Sequence, residues 1–133
     1  YLGRLKLNGE EDERTLLAAN NHASYLLGLE RFEEARSLLR KTIPVARRVL
    51  GESNQLTLKM RWQYARALSN DDSATLADHR EAVETLEAVA KSWKRVFGYS
   101  HPQTPKVQGV LADARKKLAD AHATAASESK PPP

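Results

Sequence analysis

The chain has 133 residues, about one domain's worth, with a net charge of +4 and no cysteine. Disulfides and thiolate metal sites are therefore excluded, and the charge gives only a mild bias toward acidic partners, well short of a nucleic-acid signature. Ala, Leu, Arg, Lys and Glu dominate and only 6% is aromatic, a composition that favours helix over sheet.

Residues 1–8 read as the end of a helix, and a first full helix is predicted over 12–27. Its apolar stripe is Leu16, Ala19, Ala23 and Leu26, at helical spacing, and Gly28 is placed to end it. A second helix is predicted over 31–50, with Phe32, Ala35, Leu39, Ile43, Ala46, Val49 and Leu50 on one face. Pro44 lies inside it, where a missing N–H and a clash with the carbonyl of Arg40 predict a kink; the stripe runs on past it, so packing should carry the helix through. A third helix is predicted over 54–68, burying Met60, Tyr64, Ala67 and Leu68. The polar run Asn70-Asp71-Asp72-Ser73 then makes a turn. Thr75 and Asp78 form a capping box for a fourth helix over 76–97, whose apolar face is Ala82, Leu86, Ala90, Trp93, Val96 and Phe97. A fifth helix should open in the region of Pro102, carry Val107, Leu111, Ala114, Leu118 and Ala121, and fade near Ala123. The Pro-rich segment 125–133 has nothing to bury and reads as a disordered tail.

These elements repeat. Val49-Leu50-Gly51 with Thr57 returns as Val96-Phe97-Gly98 with Thr104, and more weakly as Leu7-Asn8-Gly9 with Thr15; Gly precedes Thr by six residues in all three. The spacings are 42 residues from Gly9 to Gly51 and 47 from Gly51 to Gly98, in the range of a repeat array. The polar turn near 69–75 holds the additional five residues. Each glycine follows an apolar helix that a left-handed residue can close. The apolar positions of the second and fourth helices match at the 47-residue offset, which makes Ala35 and Ala82 the points of close helix crossing. Leu7 aligns with Val49, so a preceding repeat within a longer chain is expected.

Phe32-Glu33-Glu34-Ala35, Gly51 or Gly98 at a helix end, His101-Pro102-Gln103-Thr104 and Asn20-Asn21-His22-Ala23 are similar to tetratricopeptide repeats of the kinesin light chain type. The resemblance implies an all-α fold: antiparallel helix pairs stacked as a right-handed superhelix. The array would cover 1–124, divided into a tail of a preceding repeat (1–8), a repeat (9–50), a second with the insertion (51–97) and a terminal helix (98–124). It also implies that the first helix of each pair lines a concave groove. Helical spacing then selects the side chains. Lys59, Trp62, Gln63, Arg66 and Asn70 share a face of the third helix; Leu17, Asn20, Asn21 and Ser24 match them on the first, and Lys106, Asp113, Lys116 and Lys117 on the fifth.

The candidate peptide-binding residues are thus Asn20, Asn21, Ser24, Lys59, Trp62, Gln63, Arg66 and Lys106. Amides can pair with any peptide backbone, the cations with carboxylates, and Trp62 with an apolar anchor. The expected function is a cytoplasmic adaptor that holds an acidic peptide or partner protein. Two alternatives stand beside it: a structural end cap of a longer array, and a nucleic-acid contact through the basic groove. His22 is expected to be a partly buried structural residue and Trp93 core. No phosphate loop, nucleophile elbow, metalloprotease motif or metal-ligand spacing occurs, so no enzyme activity, cofactor or metal is expected, and no apolar run of membrane length is present.

Overall fold

A computed structural model describes residues 2–98 and 100–128, with side chains from Glu13 onward. It contains α1 (Leu2–Gly28), α2 (Phe32–Val49), α3 (Gln55–Ser69), α4 (Leu76–Phe97) and α5 (Thr104–Glu128), with no strand among the described residues. Each helix packs on the next in sequence, and α3 also touches both α1 and α5. Short connections between long amphipathic helices leave no other arrangement than stacked antiparallel pairs. The fold is an all-helical repeat.

One core cluster joins Leu16, Ala19 and Ala23 of α1 to Leu39, Ile43 and Ala46 of α2 and Met60 of α3. A second joins Leu58, Ala65 and Leu68 of α3 to Ala82, Leu86 and Trp93 of α4 and Val107, Leu111 and Ala114 of α5. Ala35 and Ala82 are fully buried, as their close crossings require. Val49 and Val96, matched positions near the helix ends, are instead substantially exposed.

The junctions explain the recurrent Gly and Thr. Gly51 and Gly98 have φ of 97° and 75°, and their N–H groups bond to the carbonyls of Arg47 and Lys94, closing α2 and α4. Asn54 Oδ1 accepts from Leu56 N at 2.9 Å; at the matching place His101 Nδ1 accepts from Gln103 N at 3.0 Å. An amide and an imidazole thus do the same work three residues past each glycine. Thr57 and Thr104 are both buried and turn their hydroxyls onto the carbonyls of Ala46 (3.4 Å) and Gly98 (2.8 Å). His101 also packs edge-on against Trp93 and tilted against Phe97, with ring centroids at 5.2 and 5.0 Å.

Several expectations are corrected. α1 runs unbroken through Gly9, where a junction was expected. A glycine inside a helix costs only about 1 kcal/mol, which the helix carries here despite the adjoining Asn8. Gly28 remains helical; the left-handed residue is Glu30, at φ 60°. There Arg31 N reaches Leu26 O at 2.8 Å and Glu30 N reaches Leu27 O at 3.0 Å, the double bond pattern of a Schellman close. α5 starts at Thr104, with Pro102 in the preceding turn. It runs to Glu128, because Ala125 and Ala126 are strong helix formers, so 125–128 are helical where a tail was expected. The remainder of that tail, 129–133, lies outside the described residues. α2 continues through Pro44 as expected.

The insertion is a surface turn with one firm anchor. Asp71 pairs with Arg36 of α2 at 2.9 Å and accepts from Ser73 N and Oγ at 3.0 and 2.8 Å. The Arg36 hydrogen bond, followed by those of Ser73, lowers its pKa from 3.8 to about 2. The capping box of Thr75 and Asp78 then starts α4, with both reciprocal bonds present.

Candidate functional site

α3 is the middle of the three first-of-pair helices, and its sides are divided by the 100° step between residues. Gln63 points to α1. Only 7% exposed, it donates through Nε2 to Asn20 O at 3.1 Å and Asn20 Oδ1 at 2.5 Å, and its Oε1 accepts from Ser24 Oγ at 2.8 Å. Both ends of the Gln63 amide are therefore engaged inside the protein. Asn20, itself buried, shares that fate, and Ser24 is tied to the same amide. Three of the eight predicted peptide-binding residues thus form a clasp between α1 and α3. The physical reason is the direct contact of α1 with α3: a residue between the core stripe and the groove stripe meets the neighbouring helix.

The other five face solvent along the groove. Asn21 and Lys59 line one end with Leu17 and Gln55, in a depression edged by Glu13. Trp62, Arg66 and Lys106 line the other with Asn70, Gly109, Val110 and Asp113, a groove section of about 650 Å³ between α3 and α5. Trp62 is half-buried. Its Nε1 turns inward, buried and without an acceptor. The indole therefore offers the groove apolar surface and no donor. Gly109 stands where Trp62 stands one repeat earlier, and a Cβ built on it meets nothing within 4 Å. The missing side chain leaves open space opposite the indole. Sequence reading passed over Gly109 and Val110 because they carry no polar group; the signal was the glycine at the position matching Trp62.

Lys59, Arg66 and Lys106 have no ion-pair partner among the described residues. Lys117 differs: it pairs with Asp113 at 3.3 Å and donates to Asn70. His22 is a further correction. It is exposed on α1, because no described helix covers the face it occupies. No group of three or more His, Cys, Asp or Glu able to hold a metal occurs among the described residues.

The sequence model of the tetratricopeptide repeat matches residues 15–55. The stacked helices fit a tetratricopeptide-like helical repeat. The match spans the second half of α1, all of α2 and the junction to α3, one period of the repeat. No curated protein and no solved structure matches the chain. A tetratricopeptide repeat is in general a scaffold for protein interaction, and no described helix is long and apolar enough to cross a membrane. In this repeat the groove presents cations around one aromatic side chain and keeps few of its amides free.

Proposed function

We propose that the groove of α1, α3 and α5 binds an extended acidic segment of a partner protein, with Trp62 seating an apolar side chain. The observation that carries this reading is the placement of Trp62, Arg66 and Lys106 around the space left open by Gly109. Unpaired cations attract carboxylates, and an indole face with its N–H turned away favours an apolar group. The resemblance of Asn20-Asn21-His22-Ala23 and His101-Pro102-Gln103-Thr104 to the kinesin light chain type supports the same ligand class. Asn21, Lys59, Trp62, Arg66 and Lys106 carry the contacts; Asn20, Ser24 and Gln63 hold the groove's shape. The role is that of a non-enzymatic adaptor of the cytoplasm.

The test is a peptide-library screen against the full chain, followed by Arg66→Glu and Trp62→Ala. The affinity should be micromolar or weaker, since an extended peptide loses entropy on ordering. Arg66→Glu should weaken acidic binders about tenfold and steepen with lower salt; Trp62→Ala should weaken those with an apolar anchor by about 1–2 kcal/mol. Binders indifferent to both changes would move the site elsewhere.

The structural end cap is the second reading. At the places of Leu58, Ala65 and Leu68 of α3, α5 carries Pro105, Ala112 and Arg115, all exposed. Arg115 pairs with Glu87 at 3.5 Å, and no other ion pair of it occurs among the described residues. Such a face remains soluble without a further helix, as an end repeat must. A screen that yields no binder would favour this reading.

A further inference from the structure

A separate side of α3, turned away from the groove, carries Arg61 and Tyr64. The Arg61 side chain is only 14% exposed, yet its nearest carboxylate oxygen, on Glu52, lies 3.9 Å away, beyond hydrogen-bond reach. Among the described residues nothing accepts a hydrogen bond from its guanidinium. Its guanidinium nitrogens are not sealed from solvent, so an acceptor entering from outside can reach them. Burial, and then the charge of Arg47, lower its pKa against the weaker opposing effect of Glu52. Arg47 leans instead on Glu52 at 3.2 Å, and that carboxylate is two-thirds exposed.

Arg61 opens into a cleft of about 230 Å³ that it shares with Arg40, Arg47, Tyr64, Glu81 and Thr85. Three arginines line the cleft with Glu81, and Glu52 stands beside two of them, Arg47 and Arg61. Arg40 is held in place through Nε, which donates to Tyr64 Oη at 3.2 Å; that hydroxyl in turn donates to Glu81 at 3.2 Å. The terminal nitrogens of Arg40 are left for another acceptor, and the Tyr64 bond occupies Glu81. We propose that this cleft between α2 and α4 is an oxyanion site for a phosphoryl group, with Arg61 its central donor and Arg40 and Arg47 its flanks. Planar guanidinium forks match phosphate oxygens in pairs, and an already positioned fork loses little entropy on binding. The cleft is smaller than the roughly 300–1,000 Å³ typical of sites for drug-sized ligands. Its ligand is therefore a small oxyanion or a phosphoryl group presented by something larger.

The experiment uses the full chain, with melting curves and calorimetric titration in inorganic phosphate against chloride at matched ionic strength, and then in N-acetyl-phosphoserine amide. Phosphate should raise Tm where chloride does not. Arg61→Met should melt no lower than the parent without phosphate, because a largely buried charge with only a long ion contact is replaced by an apolar chain, and should lose the phosphate response. Arg47→Gln alters a more exposed residue and should weaken phosphate binding about tenfold. Tighter binding of the phosphoserine amide than of phosphate would assign the site to a phosphorylated protein; the reverse order would assign it to the free ion. Equal melting in phosphate and chloride would overturn the proposal, as would an Arg47→Gln variant that binds phosphate undiminished. Neither variant touches the peptide groove, so the two sites fail separately.

Discussion

Gln63→Ala should destabilise the array by about 2–4 kcal/mol, although the residue stands on a polar stripe and would ordinarily be called surface. The residue is 7% exposed and makes three hydrogen bonds to α1. Each such bond is worth about 0.5–1.5 kcal/mol net, and a buried acceptor stripped of its donor costs about 1–3 kcal/mol. Asn20 Oδ1 is the acceptor so exposed to loss, since Asn20 is itself buried. Ser24 is more accessible, and water can replace its lost partner. Gln63→Leu should cost less than Gln63→Ala, since the larger side chain retains part of the apolar contact. Urea unfolding followed by circular dichroism measures the totals. A double-mutant cycle with Ser24→Ala should give a coupling of about 1 kcal/mol. Hydrogen exchange should quicken in α1 more than in α4, because the clasp is what ties α1 to α3 beyond the shared core. A loss below about 0.5 kcal/mol with no coupling would mean that the amide is solvated and faces the groove after all.

Three further outcomes follow from the local geometry. Glu30→Gly should stabilise by about 0.5–1 kcal/mol and raise Tm by a few degrees, since it relieves the left-handed backbone at φ 60° without removing a contact; an unchanged or lower Tm would contradict the Schellman assignment. Ala82→Leu should overpack the fully buried α3–α4 crossing and cost about 1–3 kcal/mol by denaturant unfolding, and a neutral result would reject the matched crossing points. Asp71 has a folded pKa of about 2 against an ordinary 3.8, so its contribution is fully present above about pH 4 and is lost as pH falls through 2. After discounting for nearby solvent that contribution is about 1 kcal/mol; Asp71→Asn should remove it and flatten stability between pH 4 and pH 2, and an unaltered pH profile would deny the Arg36 pairing.

The helical skeleton was readable because its signals are local and redundant. Apolar stripes, the capping box at Thr75 and glycines at 51 and 98 each mark the same boundaries, and the structure uses each of them. Local signals failed where two residues compete for one task. Gly28 and Glu30 both stand near the end of α1, and the hydrogen bonds to Leu26 and Leu27 place the left-handed turn at Glu30. The division of polar residues into clasp and groove was not readable at all. Gln63 and Trp62 are neighbours in sequence and both fall on the expected concave stripe. Only the separation and tilt of α1 against α3 decide that one is buried and the other lines the groove. His22 failed for a related reason: its burial needs a helix beyond α1, and sequence periodicity cannot supply one.

The concentration of features on one turn of α3 bears on where function lies in this chain. Arg61 opens to the proposed oxyanion cleft, Trp62 to the groove and Gln63 to the α1 clasp. Their counterparts 42 residues earlier are Ala19, Asn20 and Asn21, a smaller and uncharged set. The family match ends at residue 55, just before this turn. Scaffold chemistry has not relaxed there, since Thr57 and Thr104 are both buried with their hydroxyls on backbone carbonyls and the core cluster of Leu58, Ala65 and Leu68 is intact. A turn that keeps its packing residues and changes all its outward ones costs stability in one place, the under-partnered Arg61, and supports it in another, the Gln63 clasp. Local departures from a repeat's own rule that leave its packing whole are expected where a site has been built on it. On that reasoning α3 is the helix to alter first. Arg61, Trp62 and Gln63 step around it by 100° each, so single substitutions should separate oxyanion binding, peptide binding and stability.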